Sequence, residues 1–250
     1  MFPVVTAGDV INISGCFERS VMTWIDLGNP APKSEWDRYD LFQWETGQLQ
    51  RLTVGSSPPS PAILDLLRQR RTKRQFWPLS DIELSDFFWH ACRCREAWPS
   101  EMGFDLEHRA APSAGAIHPI HVVINRPGNA QWWLYEPHGH FLVELPTATS
   151  LFSGLRSHSQ TVLDAPDATR LLLLAEPGKT LAKYSDGCSL VWRDAGALLG
   201  VMALTAEGLG LSFCPLGITG EPWASSLAKQ GKLMGVGLAL LGSASGTSVR

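Results

Sequence analysis

From Leu190 to Glu207 the chain reads as one helix that is apolar on nearly every side, with Ala195-Gly196-Ala197-Leu198-Leu199-Gly200 at its centre. A surface helix needs only one apolar stripe, so this one belongs in a core or at a subunit interface. Gly208 and Gly210 end it, and either suits the left-handed position that follows a helix. Upstream, Leu171-Leu172-Leu173-Leu174-Ala175 runs apolar without alternation, which predicts a strand buried on both faces. The rest of the chain has to cover these two segments. Its 250 residues suffice for one domain with an ample core. Helical and strand patterns mix without a strict βαβ alternation, so the expected class is α+β.

The remaining elements follow from local chemistry. Residues 1–57 alternate short apolar runs with turn formers and read as an N-terminal arm, with Phe42-Gln43-Trp44 as a short strand. Ser56-Ser57-Pro58-Pro59-Ser60-Pro61 is a linker by composition, and residues 58–250 form the main domain. Pro61 to Leu67 reads as a helix. Ser80 followed by Glu83 is a capping box that opens another, which buries Leu84, Phe87, Phe88 and Ala91 on one face. Val122-Val123-Ile124 and Trp132-Trp133-Leu134-Tyr135 are strands joined around Arg126-Pro127-Gly128-Asn129, and Phe141 to Leu145 is a third. Thr147–Ser157 reads as a weak helix. Leu211 to Gly217 and Val236 to Leu241 are the last strands, and the tail to Arg250 is loose.

Several function classes are disfavoured. No run approaches the roughly 20 apolar residues that span a bilayer, and Met1-Phe2-Pro3-Val4-Val5 does not begin a signal peptide. A cytoplasmic protein without a membrane partner is expected. Five cysteines (Cys16, Cys92, Cys94, Cys188, Cys214) form no C-x-x-C pair, and Cys92 and Cys94 would point to different helix faces. Reduced thiols and no metal site are expected. His118 and His121 flank the start of a strand at an odd separation, which points them to opposite faces, and they read as structural or substrate-facing. Neither a dinucleotide fingerprint, a P-loop nor a hydrolase Gly-x-Ser-x-Gly occurs.

The stretch Arg70-Arg71-Thr72-Lys73-Arg74 places four cations in five positions of a chain whose net charge is −3. A local knot of cations in a mildly acidic protein calls for a small anion rather than a nucleic acid, or else is a solvated helix end. Lys73 is assigned to solvent.

Four separated stretches then match one family in order and rough spacing. They are Arg70 to Phe76, Pro112-Ser113-Ala114-Gly115-Ala116-Ile117-His118-Pro119, Lys183-Tyr184, and Asp194-Ala195-Gly196 running through Gly208-Leu209-Gly210 to Pro215-Leu216-Gly217. Over about residues 60–242 the chain resembles the nitroreductase-like flavoproteins, and among them the SagB-type dehydrogenases that oxidise azolines to azoles in peptide natural products. The resemblance implies a mostly antiparallel sheet flanked by helices, an interlocked homodimer, and non-covalent FMN at the interface. It implies that Arg70, Arg71 and Thr72 bind the phosphate and that Arg74 reaches the flavin pyrimidine edge. Pro112, Ser113, Ala114 and Gly115 would lie against the ring, and Pro215, Leu216 and Gly217 would approach its N5 edge. Lys183 and Tyr184 would supply acid–base function. In nitroreductases a basic residue near the C-terminus often completes the phosphate site; Lys229, Lys232 and Arg250 are the ones available here. The substrate implied is a small molecule, a carrier-bound group or a peptide. Rival readings are an NAD(P)H-dependent nitro- or quinone-reductase and a non-catalytic flavin-binding scaffold subunit.

Overall fold

The computed structural model describes residues 27–55, 61–228 and 231–245. Cys16, the linker serines and prolines at 56–60, Lys229 and the tail to Arg250 lie outside the described residues.

The first elements are β1 (Ala31–Pro32), β2 (Leu49–Arg51), α1 (Ile63–Gln69), α2 (Asp81–Ala91), β3 (Glu96–Trp98) and β4 (Leu106–His108). A 3-10 turn at Ala114–Ala116 leads into β5 (Ile120–Asn125), β6 (Trp132–Glu136) and β7 (Phe141–Glu144). Next come α3 (Pro146–Leu151), α4 (Ser153–Val162), β8 (Thr169–Ala175), α5 (Pro177–Lys183) and β9 (Tyr184–Ser185). The last are α6 (Cys188–Gly208), β10 (Leu211–Leu216), α7 (Trp223–Leu227) and β11 (Met234–Ser243). Phe42 to Trp44 is irregular; the strands of this section are β1, which pairs antiparallel with β9, and β2, which pairs antiparallel with β7.

One seven-stranded sheet, ordered β10-β11-β8-β5-β6-β7-β2, organises the chain, and every pairing in it is antiparallel. All residues of β8 are buried. Leu171 packs with Phe87, Phe88 and Met202 on the side of α2 and α6. Leu172 and Leu174 point the other way, toward Ala148, Phe152, Leu155 and Ala224 of the segment running through α3, α4 and α7. Each such leucine contributes about 2 kcal/mol by leaving water, which is why a continuous apolar run and not an alternating one sits at the middle of the sheet.

The predicted capping box is present: Ser80 Oγ accepts from Glu83 N while Glu83 accepts from Ser80 N. Its helix buries Leu84, Phe87, Phe88 and Ala91. The weak helix predicted at 147–157 is two helices, α3 and α4, with Phe152 buried at the break.

The 21-residue α6 is long and apolar enough by composition to cross a membrane. Here its Val191, Ala195, Met202 and Ala206 are buried against the sheet and α2, while Gly196 and Gly200 stay exposed. Beside it α1 has no buried residue at all, and Ile63, Leu64 and Leu67 are each more than half exposed. One side of α6 and most of α1 therefore form apolar surface in the single chain.

Candidate active site

The basic stretch leaves α1 in extended conformation and runs alongside β10, where Lys73 N donates to Phe213 O at 3.3 Å. The turn at Arg70 comes from the end of α1: Arg70 N still donates to Leu66 O, but its φ and ψ are no longer helical. Arg70, Arg71, Thr72 and Pro215 line one cavity of about 340 Å³, floored by Leu199 and Gly200 of α6. Glu207 also lines it, but Lys73 Nζ lies 3.2 Å from that carboxylate and neutralises it. Lys73 is therefore a structural ion pair rather than a solvated charge. Arg71 Nη1 donates to the carbonyls of Arg68 and Arg70. Arg70, Arg71 and Thr72 thus line the cavity, with its one carboxylate already paired and one guanidinium nitrogen of Arg71 already engaged. That donor set fits a phosphate monoester.

Not every predicted residue joins it. Arg74 is exposed and reaches the thiol of Cys214; burial raises that thiol's pKa and the Arg74 guanidinium partly offsets the rise. Leu216 is half-buried and packs against the core on the side of α3, α4 and α7, and Gly217 is exposed with open space around it. Lys232 is exposed, its Nζ 6.0 Å from the Tyr39 ring centroid.

A second constellation forms around Gly115. This glycine has φ +65°, the left-handed region that a residue with Cβ occupies only under strain. A Cβ built there would lie 2.9 Å from Tyr184 Oη and 3.0 Å from Lys183 Nζ. Lys183 ends α5 and Tyr184 begins β9, so the helix-to-strand change aims both side chains at one backbone site. The preceding turn is held from below. Asp194, buried on α6, accepts from Ser113 Oγ at 2.5 Å and from Ala114 N at 3.1 Å, and Ser113 Oγ accepts from His118 N. Burial raises the Asp194 carboxyl and these two donors counter it. Two of the four family-like stretches are thus tied together by hydrogen bonds. Gly115, Lys183 and Tyr184 do not line the Arg70 cavity.

Behind this turn lies a feature that sequence reasoning did not find. A partly open cavity of about 260 Å³ is lined by charged groups including Glu107, Arg109, Glu176, Lys179 and Asp194. Arg109 Nε is 2.6 Å from Glu107 Oε2. Burial alone would raise Glu107, but Arg109, Lys179 and His138 outweigh it and hold the carboxyl at about 2. Burial, reinforced by Arg109, pushes His118 down to about 4. Burial likewise brings Lys179 down to about 8; its Nζ donates to His118 O at 3.2 Å. His121 Nε2 meets Glu176 Oε2 at 2.9 Å. His118 and His121 both line this cavity, contrary to the opposite faces expected from their spacing. His118 precedes the strand with φ +48°, so strand alternation does not govern it. Cys94, Glu107 and His138 have ligand atoms within 4.8 Å of one another, but Arg109 already places a fixed cation on that carboxylate.

The arm closes the second constellation from outside. β1 pairs with β9, Pro32 opposite Tyr184, and Lys33 N and Asp37 N donate to the carbonyls of Lys183 and Ala182 at 2.9 Å each.

Comparison with known proteins bears on the family and the fold. A sequence model of the nitroreductase family matches residues 67–230. Among solved structures, one is a protein from Ralstonia eutropha JMP134 assigned as a nitroreductase; it is 20% identical with a TM-score of 0.58, over 88% of this chain and 100% of that one. The E. coli microcin synthetase McbBCD complex with truncated pro-MccB17 bound contains a chain 18% identical, TM-score 0.55, over 76% of each. A protein from Anabaena variabilis ATCC 29413, also assigned as a nitroreductase, gives 18% and 0.54 over 80% of this chain and 39% of that one. At such identities the likeness establishes the fold. No curated protein matches the chain.

Proposed function

Because the chain belongs to the nitroreductase family, we propose that it is an FMN-dependent oxidoreductase, and within that class a dehydrogenase of the azoline-oxidising kind in natural-product biosynthesis. The observation that carries the reading is the convergence of Lys183 Nζ and Tyr184 Oη on Gly115. The flavin, when bound, supplies the hydride acceptor. The residues of the chain do the rest. Arg70, Arg71 and Thr72 hold the phosphate in the cavity they line, where paired N–H donors fix orientation as well as charge. Gly115 and its neighbours have no bulk to keep a planar ring away from the backbone. Lys183 takes the proton that leaves the substrate carbon, and Tyr184 orients or relays it.

In one chain the Arg70 set and the Lys183 set are separate. The proposal therefore includes a homodimer in which each flavin lies between the two chains, the Arg70 set coming from one and the Lys183 set from the other. The exposed apolar faces of α1 and α6 support it, since Ile63, Leu64 and Leu67 form a patch that a second copy would cover.

The test is the visible spectrum of purified protein followed anaerobically, first with NADPH and then with a thiazoline-containing peptide. A yellow protein that stays oxidised with NADPH and is bleached by the thiazoline supports the dehydrogenase. Immediate bleaching by NADPH makes it a nitro- or quinone-reductase. Full activity in Lys183→Ala removes the acid–base assignment, and retention of FMN without any turnover leaves a flavin-binding scaffold.

A further inference from the structure

Lys183 is a half-buried cation with no carboxylate paired to it among the described residues. What holds it instead comes from the arm. Its Nζ lies 4.7 Å from the centroid of the Trp36 ring, against 6.0 Å for the ring of its own neighbour Tyr184. On another side it meets Gly115, where even a methyl group would come within 3.0 Å of Nζ. The ammonium thus lies between a glycine and an indole that is itself 41% exposed.

Trp36 is itself fixed by its flanks. Lys33 N and Asp37 N donate to the carbonyls of Lys183 and Ala182, so the arm spans Trp36 by two hydrogen bonds to the segment that carries the lysine. Lys33 Nζ adds a bond to Leu181 O at 2.7 Å and closes an ion pair with Asp37. Further along, Phe42 N donates to the buried Glu176 carboxylate, and the Tyr39 ring packs against Gly178 so closely that no Cβ could stand there. All of these contacts come from residues that precede the family match at 67–230.

We propose that Trp36 is a positioning residue for Lys183, supplied by the N-terminal arm, and that it orients the lysine side chain toward Gly115. The chemistry explains the choice of residue. A carboxylate would hold the ammonium by charge-assisted hydrogen bonds and occupy its N–H donors. An indole face attracts the cation through its quadrupole but accepts no strong hydrogen bond along the ring plane. The side chain is directed by the ring while its nitrogen keeps its hydrogen-bonding positions free on the side of Gly115, where the neutral amine can accept a proton. The proposal rests on the reading of Lys183 as the base, and its test separates the two.

The test uses FMN-loaded wild type, Trp36→Phe and Trp36→Leu. Each is treated with limiting N-hydroxysuccinimidyl acetate, and acetylation of Lys183, Lys33 and Lys73 is read by mass spectrometry. Leucine keeps apolar bulk without a π face, whereas phenylalanine keeps the face. The expected result is a rise in Lys183 labelling of about three- to fivefold in Trp36→Leu, a smaller rise in Trp36→Phe, and no change at Lys33 or Lys73. Unchanged labelling of Lys183 in Trp36→Leu overturns the proposal. So does equal labelling in the two variants, or a parallel rise at Lys33, because that would mean the arm had merely come loose. Turnover of a thiazoline peptide is measured alongside: kcat should fall in Trp36→Leu with KM unchanged, and Trp36→Phe should recover most of it. If Lys183→Ala proves fully active while Trp36→Leu still frees Lys183, the base assignment fails and the positioning stands.

Discussion

Replacing Gly115 with alanine tests the second constellation with two effects that can be separated. The backbone at Gly115 has φ +65°, and an L side chain in the left-handed region costs roughly 1–2 kcal/mol. For a chain of this size that lowers Tm by roughly 2–8 °C. The new methyl group also meets Tyr184 Oη at 2.9 Å and Lys183 Nζ at 3.0 Å. Both are the far ends of long side chains, so they swing aside and add little to the loss of stability. Function responds differently. A displacement approaching 1 Å of a group that must meet a reacting proton costs about 10²-fold in rate. The expected variant is therefore folded, slightly less stable, weaker in FMN uptake because the methyl group stands where the ring would lie, and slow even when saturated with FMN. Differential scanning calorimetry gives the first number, flavin fluorescence titration the second and thiazoline oxidation the third. A Gly115→Ala protein with the predicted loss of Tm and wild-type turnover would refute the reasoning, because the two side chains would then be acting from somewhere else or not at all.

Three further outcomes follow from the cavities. Arg70→Ala should weaken FMN by roughly 10- to 100-fold through loss of charge-assisted bonds while leaving the thermal transition of the flavin-free protein in place; fluorescence titration and calorimetry check the pair. Arg109→Ala leaves the buried Glu107 carboxylate without its 2.6 Å partner and should cost about 3–5 kcal/mol, read from urea denaturation at neutral pH; a cost below about 1 kcal/mol would mean that Glu107 is solvated. The third concerns acid. His118 is lowered from 6.5 to about 4 and Glu107 from 4.5 to about 2, so the unfolded chain binds more protons than the folded one throughout this range. The stability that His118 contributes is whole above pH 6.5 and is lost as pH falls through about 4; Glu107 extends the loss below its unfolded value of 4.5 toward 2. Unfolding free energy measured in urea should fall steadily from pH 7 to pH 4, and replacing His118 with glutamine should flatten the upper part of that slope.

Elements whose reason is local were legible in the sequence. The Ser80–Glu83 box, the apolar run of β8 and the long α6 each carry their cause within a few residues, and the structure has them within a residue or two of where they were expected. The approach of Lys183 and Tyr184 to Gly115 follows no local pattern, since some 70 residues of chain separate them, and the turn itself is held by Asp194 from a third segment. The charged cavity was not legible at all. Glu107 comes from β4, His118 from the turn before β5, and Glu176 and Lys179 from the start of α5; only the last two are close in sequence, so no spacing rule joins the set. Lys73 misled for a similar reason, because its partner Glu207 sits at the far end of α6. Trp36 carries no motif, and its role depends on the arm folding back on β9.

The course of the basic stretch along β10 has a further consequence. β10 is an outer strand of the sheet, and an uncovered outer strand is a template on which other chains can pair. Here Lys73 N bonds to Phe213 O, and Lys73 is anchored to Glu207, so the segment that guards this strand is also the one that carries Arg70 and Thr72. A ligand that fills the cavity lined by Arg70 and Thr72 would therefore also hold the segment that covers β10, by mass action.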